Sequence, residues 1–308
     1  MKTALLFAGQ GAQYVGMGKE LAATFPEAKE YFDRANQILN YDLTSICFGG
    51  PEDILTKTEN AQPAIFLVSW IAFELLKKNL PELKYQATAG LSLGEITALA
   101  AAGAMKFEDG LVLVHKRGKY MQEACDRTSG AMVAVIGMDL QSVKDVCAEC
   151  DVDVANLNCP GQIVISGEKE KVKKACDVLK SRGAKRVLPL QVAGAYHSRL
   201  MESARPLLAK AIDEITLFDP SVTVVSNVTA MPYTGKNQIR DTLVDQLTST
   251  VRWEDCVRYL LNSGFTRFIE LGPGTVLSGF LKRIESSATV LNIADPQSLE
   301  KTLAALKQ

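Results

Sequence analysis

Three side chains could do acyl chemistry together. Ser92 lies in Gly90-Leu91-Ser92-Leu93-Gly94, which fits the Gly-x-Ser-x-Gly nucleophile elbow. That pattern acquires meaning between a strand and a helix. Ala87-Thr88-Ala89 reads as a strand end, and Glu95 to Ala104, rich in Ala and Leu, as a helix. A turn this sharp strains the serine backbone and lifts its hydroxyl above the sheet, at the positive end of the helix. A serine hydroxyl is a weak nucleophile and needs a base. The chain offers two histidines. His115 lies in the helical run Leu111 to Met121 and reads as a partly buried or solvent-facing helix residue. His197 lies in the small-residue loop Val192-Ala193-Gly194-Ala195-Tyr196-His197-Ser198, the kind of loop where catalytic groups concentrate, and reads as the base. Arg117, in His115-Lys116-Arg117-Gly118-Lys119, reads either as part of a solvated basic face or as a pocket residue. In a pocket its fork would hold a carboxylate carried by the acyl group.

A hydrolase triad would add an acid between Ser92 and His197. The acids in that interval fall mostly on charged helices, and none sits at an evident strand end. The pattern therefore points to a dyad, or to a base oriented by a backbone carbonyl.

The elements around these residues alternate. Lys2 to Ala8 reads as a buried first strand. Asn60 is placed to cap a helix from Ala61, with Pro63 in its first turn. From Gly130 to Leu190 the order becomes strand Ala131–Gly137, helix Leu140–Cys150, strands Val152–Leu157 and Gln162–Ser166, helix Glu168–Arg182 and strand Ala184–Leu190. This is the β-α-β-β-α-β order of a ferredoxin-like unit. Beyond it come helix Ser198–Ile215, strand Val222–Ser226, helix Trp253–Ser263, strand Arg267–Leu271 and helix Val276–Ile284. Alternation of this kind predicts an α/β fold with a mostly parallel sheet. The expected division is a large domain from 1–126 and 194–308, split by a small ferredoxin-like domain over 127–193.

Bulk properties set limits. The chain has 308 residues, enough for a large core and by length for about two domains. A net charge of -1 argues against a nucleic-acid binder. No apolar stretch approaches the roughly 18 residues of a membrane span. The short apolar start is no signal-peptide core, so a cytoplasmic chain is expected, or one of an organellar stroma or matrix if a transit peptide has been removed. The seven cysteines include one CxxC pair, Cys147 and Cys150, in a helical stretch. With so few histidines a zinc site is hard to assemble, and reduced, partly buried thiols are expected.

Further segments complete a set: Gly9-Gln10-Gly11-Ala12-Gln13, Arg117-Gly118-Lys119-Tyr120-Met121-Gln122, Asn156-Leu157-Asn158-Cys159-Pro160-Gly161-Gln162, Gly194-Ala195-Tyr196-His197-Ser198 and Glu270-Leu271-Gly272-Pro273-Gly274. With the elbow and Glu95 they occur in order along nearly the whole chain. The chain resembles the malonyl-CoA:acyl carrier protein transacylases, the acyltransferases of type II fatty-acid synthesis. The resemblance implies a large α/β-hydrolase-like domain, an inserted ferredoxin-like one, and an active site between them. It implies Ser92 as nucleophile, His197 as base and Arg117 as partner of the malonyl carboxylate, with Met121 and Tyr196 also at the substrate. The oxyanion hole falls to the backbone N–H groups of Gln10 and Leu93. Orientation of the base falls to the backbone carbonyl of Gln246.

The implied partners are malonyl-CoA and holo acyl carrier protein. CoA and phosphopantetheine enter as parts of substrates, with no separate cofactor and no metal, and a monomer is expected. Lys116, Lys119, Lys282 and Arg283 are candidates to meet an acidic carrier protein, beside a plainer reading as solvated lysines and arginine. The chain departs from the common pattern at Leu91, where many members have His, and at Tyr196, where Phe or Ser is frequent in a position tied to acyl choice. Other functions open to the same residues are a stand-alone polyketide-type acyltransferase, a serine thioesterase or hydrolase, and a non-catalytic carrier-protein-binding module.

Overall fold

Thr3-Ala4-Leu5-Leu6-Phe7 is buried at every position. Such a run suits a strand covered on both faces, and it becomes the centre of a parallel sheet. The structure, a computed structural model, describes residues 1–307. Its strands are β1 (Lys2–Phe7), β2 (Ala87–Gly90), β3 (Gly130–Ile136), β4 (Asp153–Cys159), β5 (Gln162–Glu168), β6 (Arg186–Pro189), β7 (Thr223–Val224), β8 (Phe265–Leu271) and β9 (Thr289–Ile293). Five form one sheet in the order β7-β2-β1-β8-β9, with every pairing parallel. Leu5 and Phe7 face one side, against the apolar helices Thr58–Asn79 and Leu93–Ala101. Ala4 and Leu6 face the other, against Trp253, Leu277 and Leu281. Period-two alternation in one short strand thus supplies two cores.

The other four strands form a separate antiparallel sheet, β4-β5-β3-β6. One face, with Val133, Val135, Ile163 and Ile165, packs on the helices Leu140–Cys150 and Lys169–Ser181. On the opposite face Met132, Ala134 and Val164 join the main core. The segment just ahead of helix Trp253–Asn262 joins the antiparallel sheet at Val251, whose N–H donates to Ala155 O (2.8 Å) and whose carbonyl accepts from Leu157 N–H (2.9 Å). Arg283, on the helix Val276–Ile284, ties that helix to the same sheet through Gln162 Oε1 and Pro160 O.

Several expected elements shift. Asn60 caps nothing: the helix starts at Thr58, and the Asn60 amide donates to Ile54 O. Pro63 therefore lies inside the helix. It has no N–H for the carbonyl of Glu59, four residues back. His115 Nδ1 meets that carbonyl at 3.2 Å, so the histidine satisfies an acceptor that the proline leaves free. The expected helix Ser198–Ile215 divides into a 3-10 turn, Arg199–Ala204, and an α-helix, Arg205–Asp213, with Pro206 near the junction. The expected strand Val222–Ser226 shortens to Thr223–Val224. Strand β9 and the final helix Pro296–Leu306, which closes one end of the parallel sheet, were not foreseen. Cys147 and Cys150 are free thiols, more deeply buried than expected, in the core beneath the antiparallel sheet.

Candidate active site

Strand β2 ends at Gly90 and the next helix starts at Leu93, which leaves Ser92 on the turn. Its backbone sits at φ 55° and ψ −107°, a conformation that costs a non-glycine residue of order 1–3 kcal/mol. His197 also has a positive φ, 55°. The surroundings hold the turn. Asn227 Oδ1 accepts from the Ser92 N–H (2.7 Å), and its Nδ2 donates to Gly90 O (2.8 Å). A Cβ on Gly94 would stand 2.2 Å from Phe7 O, and one on Gly90 would stand 2.0 Å from Gly94. Both glycines are steric requirements of the elbow. Gly94→Ala should lower stability by about 3 kcal/mol or more, because the obstructing atom is backbone of the central strand. Chemical denaturation reads this directly; a loss below about 1 kcal/mol would mean the elbow can move aside.

Ser92 Oγ lies 2.8 Å from His197 Nε2. On the far side of the ring, Nδ1 lies 2.8 Å from Gln246 O. A carbonyl only accepts, so Nδ1 carries the proton and Nε2 presents a lone pair to the serine. Ser198 supports the loop, donating to Ala195 O (2.6 Å) and accepting from Leu200 N–H (3.2 Å). Burial, and then the nearby Arg117 cation, push the His197 pKa down to about 4. The ring is therefore neutral, the form a general base requires.

Arg117 is buried, 1% exposed, so the solvated-face reading is wrong. It stands on the helix Phe107–Asp126 and donates to Gln62 Oε1 (2.7 Å), Gln246 Oε1 (2.8 Å) and Ser92 Oγ (3.1 Å). The serine oxygen thus accepts from a cation while its proton faces the imidazole. The Nε–H of Arg117 has no acceptor among the described residues. A buried cation with an unused donor 3.1 Å from a serine hydroxyl has the chemistry to pair with an anion.

The partial counter-charge comes from a residue beside the elbow motif, one to which the sequence assigns no role. Glu95 is fully buried, in the first turn of the elbow helix. It accepts from Tyr233 Oη (2.5 Å), Gln246 Nε2 (2.6 Å) and Asn227 N–H (3.1 Å). Burial raises its pKa to about 7, against the pull of those donors and of Arg117. Asn227, Gln62 and Tyr233 were missed as well. The available signals were a lone acid in an apolar helix and a polar residue just past a parallel strand.

A cavity of about 430 Å³ opens at the serine, lined in part by Gln10, Ser92, Met121, Asn158, Tyr196 and His197. Arg117 is not one of the wall residues; its guanidinium adjoins the cavity through Ser92 Oγ, 3.1 Å away. Leu91 lines the cavity and brings no titratable group to it. Leu93 opens its helix, so its N–H has no intrahelical acceptor. The Gln10 N–H takes no part in the hydrogen bonds of its loop, which run from Gly11 to Gln13 and from Ala12 to Gly9. Met121 is buried, and its sulfur accepts from Gln62 Nε2 (3.4 Å). The hydroxyls of Tyr196 and Thr58 are hydrogen-bonded, and Gln10 Nε2 reaches the same Thr58 oxygen at 3.4 Å. Glu270, from the last motif, accepts from Leu277 N–H (3.0 Å) and Ser278 N–H (2.7 Å), fixing the start of a helix that forms part of the wall.

The basic candidates are not gathered at this cavity. Lys116 pairs with Glu214, Lys282 donates to Ser286 O and Ala288 O, and Arg283 donates to Gln162 Oε1 and Pro160 O. Among the described residues no group of three or more His, Cys, Asp or Glu is placed to hold a metal ion.

Known proteins resemble this chain along nearly its whole length. The acyl transferase domain model matches residues 4–299. The malonyl CoA-acyl carrier protein transacylase of Bacillus subtilis is 43% identical over 100% of this chain and 98% of its own length. A polyketide biosynthesis malonyl CoA-acyl carrier protein transacylase from the same organism is 41% identical over 93% of this chain and 98% of its own length. Among solved structures, a malonyl-transacylase in complex with its type II PKS acyl-carrier protein superposes with a TM-score of 0.95 at 38% identity, covering 99% of this chain and 100% of that one. The chain belongs to the acyl transferase family, among the malonyl-CoA:acyl carrier protein transacylases.

Proposed function

We propose that the protein transfers a malonyl group from malonyl-CoA to the phosphopantetheine thiol of acyl carrier protein, through a malonyl ester on Ser92, for fatty-acid synthesis. The observation that carries this reading is the buried Arg117 cation 3.1 Å from the nucleophile oxygen. A general esterase has no use for such a charge, whereas an acyl group ending in a carboxylate does.

His197 Nε2 takes the Ser92 proton as Oγ attacks the thioester carbon. Charge on the former carbonyl oxygen is met by the N–H groups of Gln10 and Leu93, each worth roughly 3 kcal/mol in comparable oxyanion holes. The intermediate collapses, the C–S bond breaks, and His197 returns its proton to the CoA thiolate. The malonyl ester then waits with its carboxylate on Arg117. The carrier-protein thiol gives its proton to His197, attacks the ester, and regenerates the serine. A thioester is exchanged for a thioester, so no external energy or separate cofactor is needed. Gln246 O keeps the imidazole in the required tautomer, while Met121 and Tyr196 shape the acyl end of the pocket.

The fold reading that accompanies this is an α/β-hydrolase-like domain over 1–126 and 194–308 with a ferredoxin-like domain over 127–193, in a monomeric cytoplasmic enzyme. The parallel order β7-β2-β1-β8-β9 and the antiparallel order β4-β5-β3-β6, with both helices on one face, support its two-domain part.

Mixing the protein with malonyl-CoA should add one malonyl group to the peptide carrying Ser92, as read by mass spectrometry. Holo acyl carrier protein should remove it faster than water does. Absence of the adduct would favour a non-catalytic carrier-binding module, and release by water alone would favour a thioesterase.

A further inference from the structure

Gln246 presents two carbonyl oxygens to the site. Its backbone oxygen holds His197, and its side-chain oxygen accepts from Arg117. The side chain could rotate to exchange oxygen and nitrogen, which are nearly the same size. What forbids this is the pair of groups at its ends. Arg117 can only donate, and an ionised Glu95 can only accept. The carboxamide must therefore point its oxygen at Arg117 and its nitrogen at Glu95, as found, with Nε2 to Glu95 Oε2 at 2.6 Å. The same Nε2 lies 3.1 Å from Ser92 O, which ties the amide to the elbow. Tyr233 and the backbone of Asn227 complete the donors around Glu95, so its carboxylate is held without any direct contact to the acyl cavity.

We infer that Glu95 is a positioning residue for cargo selection: its carboxylate sets the Gln246 amide, which fixes the Arg117 guanidinium on the nucleophile. Glu95 touches neither the acyl group nor the reacting atoms; it acts through Gln246 and Arg117. Its loss should therefore weaken handling of acyl groups that carry a carboxylate and spare neutral ones. The inference rests on the malonyl-transfer reading, and the test separates the two.

Acylation of Ser92 is measured with malonyl-CoA and with p-nitrophenyl acetate, a neutral acyl donor, in wild type, Glu95→Gln, Arg117→Ala and the double variant. Failure of wild type to form the malonyl adduct would sink the functional reading itself. If wild type forms it, Glu95→Gln should lower the malonyl-to-acetyl preference about tenfold, the scale of one hydrogen bond to a charged group. In the Arg117→Ala background the same substitution should change that preference little, because the residue it acts through is gone. Equal loss for both donors, or an undiminished effect without Arg117, would overturn the inference. Tyr233→Phe, which removes one donor from Glu95, is the second variant should Glu95→Gln fold poorly. It should shift the preference in the same direction by a few fold, and an unchanged preference would count against the inference.

Discussion

Replacing His197 by alanine should slow malonyl transfer to acyl carrier protein by roughly 10³- to 10⁴-fold. Among the described residues no second base is hydrogen-bonded to Ser92 Oγ. The other neighbour of Ser92 Oγ is Arg117, which donates to that oxygen and draws electron density from it. Steady-state transfer assays check the size of the loss, and a loss below tenfold would mean that another group takes the proton. The pH profile provides a sharper reading. The base acts when neutral, and its pKa is pushed down to about 4 by burial and by Arg117. Lowering the pKa of a base extends its neutral form toward acid. Falling kcat/KM from this group should thus appear near that value, well below the roughly 6.5 of a free histidine. Removing the Arg117 charge should move the acid limb upward. A wild-type limb at the ordinary histidine position would show that the ring is better solvated in solution than its burial implies.

The second large effect belongs to Arg117. Arg117→Ala should cost malonyl transfer about 2–5 kcal/mol, the range for truncating one member of a buried hydrogen-bonded charge pair. Part of that is the lost grip on the carboxylate. Part is the disorder left behind, since Gln62 and Gln246 both lose a donor and Glu95 loses its cation. Neutral acyl donors need only the dyad and should suffer less. Arg117→Lys should recover little, because a single ammonium cannot reach Gln62, Gln246 and Ser92 in the arginine's fixed geometry. Comparing kcat/KM for malonyl-CoA with that for a neutral thioester decides the matter. An equal fall for both would remove Arg117 from cargo recognition.

Much of this site could be read from the chain, for identifiable reasons. The elbow is local: a strand, a turn and a helix in one short segment, with glycines whose need is steric. Arg117 stayed ambiguous because Lys116 and Lys119 flank it in sequence. Helical phase would have resolved it: Leu113, Val114 and Met121 stand three or four residues away and are all buried, so Arg117 shares the inward face. Gln246 O could be named only through family resemblance, since a backbone carbonyl has no residue signature. Tertiary pairings were out of reach. Nothing near Pro63 says that His115 will meet the carbonyl it leaves free. The final helix was legible but unread: Asp295-Pro296 followed by Ser298 forms a capping box, with Asp295 accepting from Ser298 N–H at 2.7 Å.

Gln246 serves the base with its main chain and the cation with its side chain, and heredity treats those two attachments differently. No single codon change deletes a peptide carbonyl, so the orientation of His197 survives most substitutions at that position. The amide that steadies Arg117 has no such protection, and neither does Glu95 behind it. Substitution of the amide or of Glu95 is therefore expected to change which cargo is accepted while the proton-transfer apparatus stays intact.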